Sequence, residues 1–163
     1  MSKAADPDFK TKKIVKNYCQ TINAEPAKVF PLLCPVKEAQ WLDGWQYHLF
    51  YSESGFAEEG CVFSTPQKGE QDTIWVITKH DKVNYEIQFV RFTPDSRTCV
   101  LNISVEPLKK NTSSVHIEYA YTAISDAGNQ FIAELTEERF LSAVKFWEKS
   151  MNYFLATGKK LRK

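Results

Sequence analysis

The sequence has almost no net charge. Its 163 residues include 21 Lys and Arg against 20 Asp and Glu, which gives a formal net charge of +1. A dedicated binder of nucleic acid or of an acidic membrane surface needs a strong positive field, and this balance does not supply one. We therefore expect no nucleic-acid partner.

Long hydrophobic runs and paired cysteines are also missing. No stretch approaches the roughly 18 apolar residues of a membrane span, and residues 1–13 are polar and charged, without the apolar core of a signal peptide. The four cysteines form no CxxC pair, which excludes a zinc knuckle or a dithiol motif. We expect a cytoplasmic protein without membrane insertion and with four buried free thiols, at Cys19, Cys34, Cys61 and Cys99.

The sequence further lacks the spacings that mark metal or nucleotide chemistry. It contains no G-x-S-x-G elbow, P-loop or dinucleotide fingerprint, and its three histidines show no HxxxH or HExxH spacing. We therefore predict no metal, no cofactor and no assigned catalytic residue. His48 and His116 are expected on the surface and His80 in a turn.

A long amphipathic helix closes the chain. Between Thr136 and Leu155, apolar residues recur at alternating spacings of four and three, which places them in one stripe: Phe140, Val144, Trp147, Met151 and Phe154. Thr136 is the expected N-cap, and Gly158 ends the helix. Glu134, Glu137 and Glu138 lie near its start and are expected to face water, where they complement the helix dipole.

The preceding part of the chain has a period of two, which is typical of strands. Strands are predicted over 14–23, 45–53, 61–65, 73–79, 83–92, 98–108 and 115–125, and the short turns between the last six favour antiparallel neighbours. Two short helices, about 26–34 and 36–42, separate the first two strands. The pattern predicts an α+β fold in which a curved seven-stranded antiparallel sheet grips the long helix. Residues 13–158 form this single domain, between a disordered leader (1–12) and a basic tail (159–163).

Alternation along the strands also predicts which side chains face the helix. A shape of this kind usually encloses a cavity, and the candidate wall residues are Trp75, Tyr85, Phe89, Arg91, Tyr119 and Tyr121 from the sheet and Val144, Trp147 and Met151 from the helix. Arg91 is unusual because a cation on an apolar face must be paired, solvated or in contact with an anionic ligand. Trp41 and Trp45 flank a turn and are expected to fold inward and close one end of the domain.

The order of elements, together with the segment from Ile22 to Phe30, resembles the START-like (SRPBCC, Bet v 1-like) superfamily. The shared motif is a strand that ends in a hydrophobic residue, followed by a small residue and Pro26 and then Val29-Phe30 on the first helix. Within the superfamily the chain looks most like small bacterial proteins grouped with polyketide cyclases and dehydrases. The resemblance implies the helix-grip fold and a cavity between sheet and helix, but it carries over no catalytic residue. The glycine-rich loop of the pollen-allergen branch is absent, since Pro66–Gly69 is too short.

Three functions remain open at this point. The first is binding of a small hydrophobic or amphipathic molecule by a monomer or homodimer. The second is a cofactor-free cyclase or dehydratase in which Tyr119 and Arg91 polarise an oxygen, and the third is a protein-interaction module of the chaperone-associated type. An interior cavity of roughly 300 Å³ or more favours a small-molecule site, whereas a filled interior with an exposed apolar patch favours the interaction module.

Overall fold

The computed structural model describes residues 8–163, and residues 1–7 of the predicted leader lie outside the described residues. Its main element is one antiparallel sheet of seven strands in the order β1-β7-β6-β5-β4-β3-β2. The strands are β1 (Lys13–Ile22), β2 (His48–Tyr51), β3 (Val62–Thr65), β4 (Thr73–Asp81), β5 (Glu86–Thr93), β6 (Arg97–Lys109) and β7 (Thr112–Ala123). The α+β, seven-stranded helix-grip architecture predicted from the sequence is therefore confirmed.

Two short helices follow β1, namely α1 (Pro26–Val29) and α2 (Pro35–Trp41), with a 3₁₀ turn at Phe30–Leu32 between them. The sequence predicted one continuous helix up to residue 33 or 34. Proline at the first or second position of each piece explains the interruption, because its ring blocks the preceding helical turn and it has no N–H to donate. Because α1 and the 3₁₀ turn are short, the chain changes direction after them, and α2 lies across the open end of the sheet.

The closing helices are α3 (Asp126–Glu134) and α4 (Glu137–Thr157). The Thr136 hydroxyl accepts a hydrogen bond from the Arg139 backbone N–H at 3.2 Å, and Gly158 adopts a left-handed conformation with φ of 68°. Both predicted caps of the long helix are confirmed. No helix in the part of the chain described by the structure is long and apolar enough to cross a membrane.

Helix α4 protects the free edge of β1 as well as packing on the sheet. The Glu148 carboxylate accepts hydrogen bonds from the Thr21 backbone N–H at 2.7 Å and from the Tyr18 hydroxyl at 3.0 Å. One turn later, Asn152 accepts from the Asn23 N–H and donates to the Thr21 carbonyl. These side chains occupy backbone groups that would otherwise be open to pairing with another chain, so they hold α4 in place across the sheet.

The predicted inward faces form the core. On β7 the buried residues alternate as expected (Val115, Ile117, Tyr121 and Ala123), and the helix contributes Phe140, Val144, Trp147 and Met151. Trp41 is fully buried, as predicted, and its ring stacks on Trp147 with centroids 6.0 Å apart. This pair joins α2 to α4 and fixes the end of the domain at which the cavity lies.

The structure also corrects four local predictions. Tyr85 lies in the turn before β5 with φ of 55°, outside the strand predicted to begin at Val83. His80 belongs to β4 and its ring stacks on Phe30 at 5.2 Å. Cys19 is exposed, because it lies on the outer face of β1. Within the predicted leader, Thr11 donates to the Ala123 carbonyl at 2.5 Å, so this segment packs against the end of β7.

Candidate functional site

A cavity of about 280 Å³ lies between the sheet, α2 and α4. Its walls are mainly aromatic and aliphatic side chains, with Leu33, Leu42 and Trp45 near α2, Phe63, Trp75, Phe89, Leu101 and Ile103 from the sheet, and Val144, Phe146 and Trp147 from α4. Apart from the backbone and the indole N–H groups of the three tryptophans, the polar side chains of the lining are Glu38, Asp43, Tyr119 and Lys163. The volume is close to the lower end of the range for small-molecule sites, about 300–1,000 Å³.

Strand pairing explains why five of the nine predicted wall residues line this cavity. Ile77, Phe89, Leu101 and Tyr119 form one row across four strands, and Phe63 and Trp75 lie beside each other in the next row. These rows face α4, where Val144 and Trp147 complete the wall. Trp75, Phe89, Tyr119, Val144 and Trp147 therefore share one space.

The other four predicted wall residues lie elsewhere. Met151 is fully buried in the core, and Tyr85 lines a separate groove beside Phe30. Arg91 and Tyr121 belong to the same row of strand partners as Phe63 and Trp75, but they lie farther across the sheet, where the Tyr121 ring contacts Phe131 of α3 at 5.3 Å. Alternation predicted their inward direction, but it does not indicate how far across the sheet the cavity extends.

Arg91 is partnered mainly by aromatic groups. Its guanidinium lies 4.1 Å from the centroid of the Trp75 ring, and its Nη1 donates to the Tyr121 hydroxyl at 3.4 Å. Its Nε is buried without a hydrogen-bond partner among the described residues. The cation thus lies behind the aromatic wall, where it acts on the cavity through its field and makes no direct contact with the cavity space.

Tyr119 provides a free hydroxyl on the wall. Its ring stacks on Tyr121 with centroids 5.8 Å apart, and its hydroxyl makes no hydrogen bond within residues 8–163. Burial raises the pKa of Tyr119, and the neighbouring Tyr121 adds to the shift while Arg91 opposes it. At neutral pH this group is a neutral donor, available to an oxygen of a bound molecule.

Glu38 is one of several site residues that the sequence reasoning missed, together with Asp43, Phe63, Phe146 and Lys163. It lies on α2 one turn before Trp41, is half-buried, and lines the cavity. Burial among the cavity walls raises the pKa of its carboxyl to about 8, against a smaller opposing effect from Arg91. Its carboxyl forms no hydrogen bond or ion pair within the described part of the chain. The available signal was its spacing of three from Trp41, which places both residues on the same face of a short helix.

The basic tail crosses the mouth of this cavity. Arg162 Nη1 lies 2.7 Å from the Asp43 carboxylate, which also accepts from the Lys163 backbone N–H at 3.2 Å. The Lys163 ammonium lies 4.8 Å from the centroid of the Phe146 ring on α4. Hydrogen bonds from Arg162 and Lys163 lower the pKa of Asp43, so the carboxylate stays charged and holds the tail near neutral pH.

We expect the Asp43→Asn variant to loosen the attachment of the basic tail at the mouth of the cavity. Its neutral amide keeps the size of the side chain but loses the charge that attracts Arg162, so a bound molecule should enter and leave several times faster with little change in affinity. Stopped-flow measurement of 2-naphthol binding checks this. Asp72→Asn, an exposed position on another loop, is the matched control, and equal dissociation rates in both variants would contradict a gating role for the tail.

Several other concave surfaces lie outside the cavity. A groove of about 420 Å³ between Phe30, Lys37, Phe56, His80 and Tyr85 is open to solvent, and burial lowers the pKa of His80 there. A broader depression of about 590 Å³ covers the outer face of the sheet and has mostly polar walls. The cavity beneath α4 differs from these two because it combines a mainly apolar wall with an unpaired carboxyl on Glu38 and an unpaired hydroxyl on Tyr119.

The outer face carries a row of potentially reactive groups. Cys19 Sγ lies 2.9 Å from Ser114 Oγ, which lies 3.2 Å from His116 Nε2, and Glu106 approaches the same nitrogen at 3.6 Å. A catalytic triad needs the carboxylate on the other ring nitrogen, so this row lacks that geometry. No group of three or more His, Cys, Asp or Glu side chains in residues 8–163 is arranged to hold a metal ion.

Comparison with known proteins gives a structural answer only. No protein-family profile matches the sequence, and no curated protein does either. Solved structures do match, at 8–14% identity. Norcoclaurine synthase from Thalictrum flavum, in complex with dopamine and hydroxybenzaldehyde, has a TM-score of 0.65 at 12% identity, with 91% of this chain and 90% of that chain covered.

Two other matches have the same architecture. The Zhui aromatase/cyclase from a Streptomyces species has a TM-score of 0.63 at 8% identity, covering 92% of this chain and all of the other. Ara h 8.0201 has a TM-score of 0.58 at 14% identity and covers 90% of this chain and all of its own. At these identities the likeness concerns the fold alone. The chain therefore shares the helix-grip fold of these proteins.

Proposed function

We propose that the protein binds a small, mainly aromatic molecule in the cavity between the sheet and α4. The observation that carries this proposal is the cavity itself, about 280 Å³ of space walled by aromatic and aliphatic side chains, with an unpaired carboxyl on Glu38 and an unpaired hydroxyl on Tyr119. Apolar walls with a few placed polar groups are typical of small-molecule sites. Structures of the same fold include one that holds dopamine and hydroxybenzaldehyde.

The size of the cavity limits the ligand. At the packing density of protein interiors, about 0.75, a molecule of roughly 200 Å³ fills it, which corresponds to one or two fused rings with small substituents. A long lipid chain or a sterol is too large for this space. The free Tyr119 hydroxyl and the Glu38 carboxyl both favour a ligand that carries at least one oxygen or nitrogen able to form a hydrogen bond.

The interaction-module alternative needs a filled interior, and the open cavity disfavours it. Exposed aromatic residues do occur near the β2 edge, where Phe50, Tyr51 and Phe56 are about half exposed. β2 has only four residues, and short edge strands are a common way to prevent pairing with other chains. We therefore give preference to the small-molecule function.

Blocking the mouth of the cavity tests this function. Ala143 is exposed on α4 and lines the cavity, so Ala143→Trp should insert an indole into the opening without disturbing the core. We expect a loss of at least about tenfold in affinity for 2-naphthol, measured by isothermal titration calorimetry, because the ligand then loses most of its apolar contact area.

Lys145→Trp is the matched control, since Lys145 is exposed on the same helix and does not line the cavity. It should bind 2-naphthol as the unmodified protein does. Native mass spectrometry of freshly purified protein provides an independent measurement, because a tightly held molecule is detected as added mass. Failure of the unmodified protein to bind 2-naphthol or any copurified small molecule would contradict the proposed function.

A further inference from the structure

The Glu38 carboxyl is unusual because it lines the cavity and has no bonding partner in the described part of the protein. It is half-buried and lines the cavity without a hydrogen bond or ion pair within residues 8–163, although a carboxylate shielded from water is costly unless a partner or a ligand satisfies it. The nearest interior cation, on Arg91, does not reach it, since no ion pair within 4 Å connects them. The Tyr119 hydroxyl, on the sheet side of the same cavity, also makes no hydrogen bond within residues 8–163. The cavity therefore presents one unpaired carboxyl and one neutral donor to the same space, whereas Asp43 is paired with the basic tail at the mouth.

We propose that Glu38 exchanges a proton with the bound molecule, and that the molecule is an aromatic compound with a carbonyl group whose oxygen accepts a hydrogen bond from Tyr119. This inference rests on the proposed binding function and adds its reaction class. The Glu38 carboxylate removes a proton from the carbon beside the carbonyl. The electron pair of the C–H bond then forms a C=C bond, and the carbonyl π pair moves to oxygen, giving an enolate that Tyr119 stabilises.

Return of the proton from Glu38 to another carbon, or to oxygen, completes an isomerisation or tautomerisation. No oxidant, reductant or further reactant is required, because every electron pair and proton is accounted for. Tyr119 is suited to its role since a donor aimed at developing negative charge in an apolar site is worth more than in water. Arg91 lies behind Tyr119 and Tyr121 and adds positive potential to the same end of the cavity.

The groups around Glu38 determine the pH range in which its carboxyl can exchange a proton. The charged and titratable groups near it are Lys37 on its own helix, Arg91 on β5, Tyr119 and Tyr121 on β7, and Asp43 and Lys163 at the mouth. Burial dominates and gives the carboxyl a pKa of about 8. Near neutral pH both protonation states are populated, which is the condition for efficient general acid–base catalysis.

The elimination of 5-nitrobenzisoxazole tests proton abstraction without knowledge of the natural ligand. A base takes the proton on C3, the C–H electron pair completes a C≡N bond, and the N–O bond breaks to give a coloured phenolate. This two-ring compound is within the size limit of the cavity. We expect the rate to rise with pH and to level off above a midpoint near 8, because only the carboxylate form of Glu38 is a base.

Glu38→Gln keeps the shape of the side chain and removes the base. We expect it to bind the unreactive analogue 5-nitroindazole within about threefold of the unmodified protein and to lose the elimination rate by at least about 100-fold. Glu138→Gln removes an exposed carboxyl at the start of α4 and should retain the full rate. Tyr119→Phe should lower the rate with little change in the pH midpoint.

The outcomes separate this inference from the function on which it rests. If the unmodified protein binds 5-nitroindazole but shows no elimination above buffer, or if Glu38→Gln retains the rate, proton transfer by Glu38 is wrong and binding stands. If the unmodified protein binds neither 5-nitroindazole nor 2-naphthol, both are wrong. Glu38→Asp keeps the carboxylate and replaces Glu38→Gln as the test variant if Glu38→Gln does not fold. Its expected elimination rate is about tenfold below that of the unmodified protein, because the shorter side chain moves the base away from the substrate. An unchanged rate would also overturn the proposal.

Discussion

Gly128→Ala is expected to destabilise the protein by about 3 kcal/mol or more, although alanine is the better helix former. A Cβ at position 128 would lie 1.9 Å from the Ser96 backbone oxygen and 3.1 Å from the Ala123 Cα. The Ser96 oxygen is not free to move, because it accepts a hydrogen bond from the Ile124 N–H at 2.8 Å. Relief of the clash therefore requires α3 to move away from the ends of β6 and β7.

The helix propensity of alanine favours the substitution by about 1 kcal/mol, whereas the clash with the Ser96 oxygen opposes it. The sign of the change in unfolding free energy therefore shows which of the two effects is larger. Urea denaturation followed by circular dichroism measures the difference in unfolding free energy. Ala133→Gly, at an exposed position on the same helix, is the control and should cost only about 1 kcal/mol. A Gly128→Ala variant as stable as the unmodified protein would mean that α3 does not approach the sheet as closely as described.

Trp41→Ala is the second substitution with a large expected effect, a loss of about 3–5 kcal/mol. The Trp41 side chain is 0% exposed, stacks on Trp147, and donates from Nε1 to the Leu32 carbonyl at 3.2 Å. Its removal leaves a void between α2 and α4 and deprives the Leu32 carbonyl of its donor. Thermal and urea denaturation check the magnitude.

The same variant links stability to the site, because α2 carries Glu38. Loss of the Trp41 anchor should admit water around Glu38 and lower its pKa, so the pH midpoint for elimination of 5-nitrobenzisoxazole should move down from about 8. Trp41→Phe keeps most of the apolar volume and should lose less stability, with a smaller displacement of the midpoint. A Trp41→Ala protein that loses under about 1 kcal/mol would contradict the anchoring role.

The periodicity of apolar residues was sufficient to predict the fold, because each helix and each strand has its own regular spacing of buried side chains. The stripe from Phe140 to Phe154 required one long helix, and the alternation from Trp75 to Ala123 required strands with one buried face. The proline positions at 26, 31 and 35 predicted short helices between the first two strands, although their boundaries shifted by a few residues. Local rules act within about one turn or one strand, which is the range over which the sequence pattern is informative.

The same rules could not define the site. Alternation gave the inward direction of Arg91 and Tyr121, but it could not show that they lie outside the cavity, farther across the sheet in the row of Trp75. Tyr85 lies in a turn with a positive φ and not in the predicted strand. The pairing of Asp43 with Arg162 joins residues 119 positions apart. Contacts of that range depend on how complete elements pack, and no local pattern encodes them.

The sequence by itself therefore determined the architecture of this protein, its element order, the inward faces and the aromatic character of the interior, because burial of apolar side chains follows backbone periodicity directly. Only the tertiary structure decided the chemistry of the cavity. Packing of Trp41 against Trp147 brings a short helix over the open end of the sheet, which places Glu38 in the same apolar space as Tyr119. The same carboxyl on an exposed helix would be an ordinary acid in water, and its distinctive protonation arises from the walls around it.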